Sequence, residues 1–202
     1  MKTLAALVFP GFQTLDFFGP LEMLGDLGDQ IDITIVAETS EPVPSVHGQG
    51  LLVDKTVSDG SDYDLLLIPG GDTALEAAKR PAVTDWIVET SNKAELVMTV
   101  CTGSILLATT GLLDGRRATT NKLDFTKTVP LGPEVDWVRQ ARWVEDGKYF
   151  TSSGVSAGMD MTLAAIAHLF GKATAEEVAE GTEYEWHDDA SWDPFAKSSG
   201  LV

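Results

Sequence analysis

The chain has 202 residues, 44% of them hydrophobic and 22% charged, with 31 acidic against 14 basic side chains and a formal net charge of −17; this describes one compact domain with a sizeable core and rules out wholesale disorder. Lys79-Arg80 and Arg116-Arg117 are its only adjacent basic pairs, which argues against nucleic acid and anionic membrane surfaces, and no apolar run reaches the roughly 18 residues a bilayer span needs. Cys101 is the single cysteine, so neither an internal disulfide nor a multi-cysteine metal site can form, and a reducing, cytoplasmic setting is expected.

In chain order, Leu4 to Phe9 reads as a strand buried on both faces, and as a better fit to the N-terminus than a signal peptide because no small-residue cleavage site follows. Thr14 opens a helix through Leu24 and is placed to cap it. Ile31 to Val36, rich in β-branched residues, is the second strand, and Val46 to Val53, with His47-Gly48-Gln49-Gly50, is a hairpin or an edge excursion. Leu65 to Ile68 is a third strand, stopped by Pro69-Gly70-Gly71. Two short helices follow, one after Asp72 and one from Pro81, then a strand from Leu96 to Val100 and a helix from Thr102 to Leu113, ended by Asp114-Gly115.

The second half is less regular. Ala118 to Thr120 reads as a short strand and Lys122 to Val129 as a short helix. Trp137 to Val144 and Tyr149 to Thr151 read as strands around the turn Asp146-Gly147. Helices from Val155 to Phe170 and from Thr174 to about Gly181 come next, and the tail from about His187 is expected to lie over the surface. Alternating strands and helices predict a single α/β domain over residues 1–202, with helices on both sides of a mostly parallel sheet and ligands at the carboxyl ends of its strands.

Three of those ends carry unusual chemistry: the turn after Phe9, Pro69-Gly70-Gly71, and Val100-Cys101-Thr102-Gly103-Ser104. Cys101 stands where a buried strand meets a helix, the position of a nucleophile held on a sharp turn. The helix start favours thiolate over thiol there. Gly103 leaves room for substrate, and the amides of Gly70, Gly71 and Thr102 are candidates for an anion hole facing the sulfur. The alternative is a buried structural cysteine. Asp16, in the first turn of the first helix, has two readings as well. It is either an acid favoured by the helix dipole, or a proton partner for the sulfur with a raised pKa. His47, His168 and His187 fall after none of the critical strands, so no Cys-His pair is indicated. The tryptophans are expected to serve packing rather than a cofactor.

Five separated segments resemble the ThiJ/PfpI superfamily, in the right order and along nearly the whole chain. They are Leu7 to Pro20 with its Leu15-Asp16-Phe17-Phe18-Gly19-Pro20, Ile68-Pro69-Gly70-Gly71, Val100 to Ser104, Gly115 to Thr120, and Ser153 to Asp160. The resemblance implies a class I glutamine-amidotransferase-like, flavodoxin-like three-layer sandwich. Aspartate at position 16 and Cys101-Thr102-Gly103-Ser104 are most similar to the isonitrile hydratase (isocyanide hydratase) branch.

That likeness implies Cys101 as nucleophile, Asp16 as acid/base, the Thr102 hydroxyl as a hydrogen-bonding partner, a homodimer, a small-molecule substrate and no cofactor. The chain departs from many relatives in having Thr119-Thr120-Asn121-Lys122 where they have Thr-Thr-His-Trp. A related regulator group appends a helix-turn-helix module, for which a strongly acidic chain of 202 residues is expected to leave no room. Two other functions stand beside isonitrile hydration: a cofactor-free 2-oxoaldehyde hydratase of the same fold, and a non-catalytic redox-responsive protein.

Overall fold

The structure, a computed structural model, describes all of residues 1–202. In chain order the first half contains β1 (Lys2–Leu7), α1 (Thr14–Gly25), β2 (Ile31–Ala37), β3 (Val43–Pro44), β4 (Gly50–Leu51), β5 (Lys55–Thr56), β6 (Leu65–Ile68), α2 (Ala74–Ala77), α3 (Pro81–Lys93) and β7 (Leu96–Val100). After a 3-10 turn at Cys101–Gly103 come α4 (Ser104–Ala108), β8 (Arg117–Ala118), α5 (Phe125–Thr128), β9 (Asp136–Trp137), β10 (Trp143–Asp146), β11 (Tyr149–Ser152), α6 (Ala157–Phe170), α7 (Lys172–Gly181) and α8 (Pro194–Ser198).

Seven strands form one sheet in the order β10-β11-β7-β6-β1-β2-β5. Every pairing is parallel except that of β10 with β11. β6 and β7 are buried along their whole length, which is why they read as unbroken apolar runs rather than alternating ones. β1 leads through α1 to β2 on one side, whereas β6 leads through α3 to β7 on the other. Right-handed crossovers running in opposite directions put α1 and α3 on opposite faces, and the helix contacts agree: α1 packs on α6 and α6 on α7, while α3 and α2 pack on α4. The result is an α/β sandwich whose order reverses between β1 and β6, the place where a crevice opens at the carboxyl ends.

Several expectations need correction. Thr14 does not cap α1: Gln13 holds the cap position, and Thr14 Oγ1 is buried with no partner. The helix expected over Thr102 to Leu113 stops at Ala108, because the Thr109 and Thr110 hydroxyls bond back to the carbonyls of Ile105 and Leu107 and Gly111 turns the chain at φ 78°. The single strand expected over Trp137 to Val144 is broken into β9, which pairs with β8 in a separate ribbon, and β10. Between them, Arg142 turns its guanidinium inward to Asp160 (Nη2–Oδ2 2.7 Å), which a continuous ladder would not permit. The hairpin reading holds, with β3 and β4 antiparallel, although it begins before Val46. The tail does run over the outside, with Trp192 and Phe195 half exposed, but it is pinned by buried Asp193 and Ala196.

Candidate active site

The elements that reach the crevice bring together residues distant in sequence. After β1, Gln13 N–H donates to Gly70 O (2.8 Å), tying the start of α1 to the turn after β6. Asp16, one turn in, is completely buried. Gly70 N–H donates to Asp16 Oδ2 (3.0 Å), while Oδ1 has no hydrogen-bond partner and the Cys101 thiol is the carboxyl's titratable neighbour. Desolvation pushes the Asp16 pKa up to about 7 against the pull of the Gly70 N–H and the neighbouring Cys101 thiol.

Cys101 adopts φ 59°, in the left-handed region that side-chain-bearing residues avoid. Its carbonyl accepts from Thr120 Oγ1 (3.0 Å) and Ser104 Oγ (3.1 Å), which hold the backbone in that conformation. Val155, β-branched, is strained in the same way at φ 46°. Two strained residues therefore bracket one sulfur, a concentration of strain that marks functional sites.

Around Sγ three donors converge. Asn121 Nδ2 lies 3.1 Å away, and the backbone N–H groups of Thr102 and Val155 also hydrogen-bond the thiol. The Asn121 amide has only one orientation available, because its Oδ1 accepts from Leu123 N–H (2.8 Å) and Asp124 N–H (3.2 Å).

These facts revise the roles expected from sequence. Cys101 is not a resting thiolate: burial, and then the Asp16 charge, push the thiol up to about 12 despite the three donors. The helix start is present but loses to desolvation. The Gly70 and Gly71 amides do not form an anion hole, since Gly70 N–H is occupied by Asp16 and Gly71 N–H by Thr102 Oγ1 (3.0 Å). The donors aimed at the sulfur come from Thr102, Val155 and Asn121 instead. The Thr102 hydroxyl is closed on Gly71, accepting from its N–H and donating to its carbonyl (3.2 Å).

Gly103 makes room for protein rather than for substrate: a Cβ there would stand 2.5 Å from Ile68 O and 2.8 Å from Pro69 O. Gly70 is similarly constrained, with a Cβ 2.7 Å from Thr102 N and 2.8 Å from Asp16 Oδ2. Asn121 and Val155 are the contacts that sequence reasoning missed. The only signal for Asn121 was the departure from Thr-Thr-His-Trp at that position.

A cavity of about 510 Å³ opens over Cys101, with Leu75, Ile105 and Leu131 on its walls and Gln13, Asp72, Asp124 and Lys127 among its polar lining. Its lining thus mixes apolar and polar side chains. Of the histidines, His168 packs edge-on against Phe150 and His187 stacks on Trp192, and none lines the cavity. No group of three or more metal-ligating side chains stands together, and no helix is long and apolar enough to cross a membrane.

Known proteins share this arrangement of chain. Isonitrile hydratase from Pseudomonas putida is 35% identical over 180 residues, which cover 88% of this chain and 76% of that protein. A helix-turn-helix-type transcriptional regulator from Pseudomonas aeruginosa is 29% identical over 178 residues, 86% of this chain but 52% of that one. The crystal structure of a ThiJ/PfpI family protein from Pseudomonas syringae superposes with a TM-score of 0.84 at 32% identity, covering 91% of this chain and 75% of the other. The sequence profile of the DJ-1/PfpI family matches residues 2–168, from β1 into α6 and through every loop that meets at Cys101, and the chain accordingly belongs to the DJ-1/PfpI family.

Proposed function

We propose that this protein is a cysteine-dependent hydro-lyase that adds water to an isonitrile and releases an N-substituted formamide. The observation that carries the reading is the buried Asp16 carboxyl interacting with the neighbouring Cys101 thiol, the pair sharing one proton near neutrality. The similarity to isonitrile hydratase supports the choice of substrate class.

The terminal carbon of an isonitrile accepts a soft nucleophile and then a proton at the same atom. The Asp16 carboxylate takes the thiol proton as Sγ bonds to that carbon, and returns it to the carbon, leaving a thioimidate R–N=CH–S–Cys101 and a carboxylate. Asp16 next removes a proton from water as the hydroxide adds to the thioimidate carbon, and passes that proton to nitrogen. The adduct R–NH–CH(OH)–S–Cys101 collapses: its hydroxyl proton goes to Asp16, the C–S bond breaks and the formamide leaves. The thiolate then recovers the proton from Asp16. Throughout, the N–H donors of Thr102, Val155 and Asn121 face the sulfur as it gains and loses charge.

The test is turnover of a simple aryl isonitrile with the formamide identified as product, run beside methylglyoxal. Hydration of the isonitrile that disappears in Cys101→Ala supports the reading. Conversion of methylglyoxal with no action on the isonitrile would overturn it in favour of a 2-oxoaldehyde hydratase.

A further inference from the structure

The segment most distant from Cys101 in sequence is tied to it by a buried ion pair. Lys122 and Asp193 are 2% and 0% exposed at their side chains, with Nζ 3.3 Å from Oδ2. The contact is an ion pair rather than an aligned hydrogen bond, since Oδ2 has no conventional donor. Asp193 Oδ1 at the same time accepts from Phe195 N–H (3.1 Å) and caps α8. Lys122 Nζ also donates to Thr119 Oγ1 and to Thr120 O (3.2 Å). One ammonium thus joins the C-terminal segment to the turn over residues 119–124.

That turn carries two of the contacts that define the nucleophile: Thr120 Oγ1 on the Cys101 carbonyl and Asn121 Nδ2 on the sulfur. The slot holding Asn121 has no slack on its far side, where a Cβ on Gly154 would lie 2.6 Å from Nδ2. Buried ion pairs contribute little net stability, and their best-attested use is to fix register.

We propose that Asp193 is a positioning residue for Cys101, acting through Lys122 and the 119–124 turn to hold the Asn121 amide on the sulfur. The proposal rests on the reading of Cys101 as the nucleophile. Asp16 on α1 is the titratable group that faces the sulfur directly, and Asp72, Asp124 and Lys127 stand on the wall of the cavity outside it.

The test is the rate of iodoacetamide alkylation of Cys101, the sole cysteine, against pH in the full chain. Asn121→Ala moves the profile to higher pH and slows alkylation on the order of tenfold at a fixed neutral pH, as loss of a hydrogen bond to a charged acceptor requires. Asp193→Asn, which keeps the cap on Phe195 N–H and removes the charge, moves it in the same direction. Combined with Asn121→Ala it moves the profile no further, because both act through one amide.

If the lone Lys122 charge prevents Asp193→Asn from folding, Lys122→Met with Asp193→Asn leaves no buried charge and replaces it, with the same expected shift. A folded variant of either kind with the wild-type profile, or a shift that simply adds to that of Asn121→Ala, would overturn the proposal. Isonitrile turnover is followed in parallel: its absence in the wild type defeats the hydratase reading, while the alkylation profiles still decide the role of Asp193.

Discussion

Asp16 and Cys101 are interacting titratable neighbours where neither is open to water, the first completely buried and the second 7% exposed. Burial raises both pKa values, so the pair holds two protons in acid, one around neutrality and none only in strong base. Chemistry needs the one-proton form. The expected result is a kcat/KM that rises with pH, is half-maximal near 7 and stays level above it. Cys101→Ala abolishes turnover. Asp16→Asn loses most of it and also loses the acid limb, while its thiol remains alkylatable. A profile that keeps a midpoint near 7 in Asp16→Asn would remove Asp16 from the mechanism.

The same burial makes Asp16 a stability liability whose sign is fixed. Its folded pKa, about 7, lies above the 3.8 of an ordinary aspartate, so the native state holds the proton more tightly than the unfolded chain does. Wild-type stability therefore falls, relative to a chain without this acid, as pH rises from about 4 to about 7. At 1.36 kcal/mol per pKa unit the ceiling of the effect is about 4 kcal/mol. Asp16→Asn is expected to unfold at higher denaturant concentration than wild type at pH 8, with the gap closing towards pH 4. Denaturant midpoints at both pH values check it, and a gap that widens in acid contradicts it.

Asn121 gives the sulfur a side-chain donor that does not titrate. Hydrogen bonds to charged groups contribute about 1.5–3 kcal/mol, and the sulfur becomes charged only during turnover. Asn121→Ala is thus expected to lower kcat by one to two orders of magnitude, with a smaller effect on KM. Asn121→His keeps a ring donor near the sulfur and adds a titrating group, so a second midpoint enters the pH profile. Steady-state kinetics of both variants across pH 5 to 9 distinguish these outcomes.

What sequence could and could not disclose follows from the range of the interactions. Leu65–Ile68 and Leu96–Val100 are legible because strands buried on both faces need nothing but apolar residues. Cys101 is legible as a candidate because it stands between such a strand and Gly103, although position alone leaves a buried structural cysteine as the alternative. The direction of its pKa was not legible, because desolvation depends on atoms brought in from α1, the 119–124 turn and the Ser153–Val155 loop. Gly70 and Gly71 were visible as a turn, but the partners of their amides depend on Asp16 and Thr102 arriving from elsewhere. Lys122 and Asp193 lie 71 positions apart with no local pattern joining them, and only the docked tail brings both inside.

Two glycine substitutions separate packing at the site from conformational freedom elsewhere. Gly70→Ala would put a methyl group 2.7 Å from both Thr102 N and Thr102 Oγ1 and 2.8 Å from Asp16 Oδ2. Two of those atoms belong to backbone or to a completely buried side chain, so relief requires the turn after β6 to move and the Gly70 N–H to leave the carboxylate. Overpacking of this kind costs about 1–3 kcal/mol, and turnover falls further than stability because the displaced group is the proton carrier. Gly25, the last residue of α1, has nothing within 4 Å of its missing Cβ and no positive φ. Gly25→Ala reduces the freedom of the unfolded chain and favours helix, a gain of about 0.4–1 kcal/mol, with kcat unchanged. Paired measurements of denaturant midpoint and turnover check both. Equal activity in Gly70→Ala and wild type would mean that the Asp16 carboxyl tolerates displacement, and with it that the tight turn at Gly70 serves the fold alone.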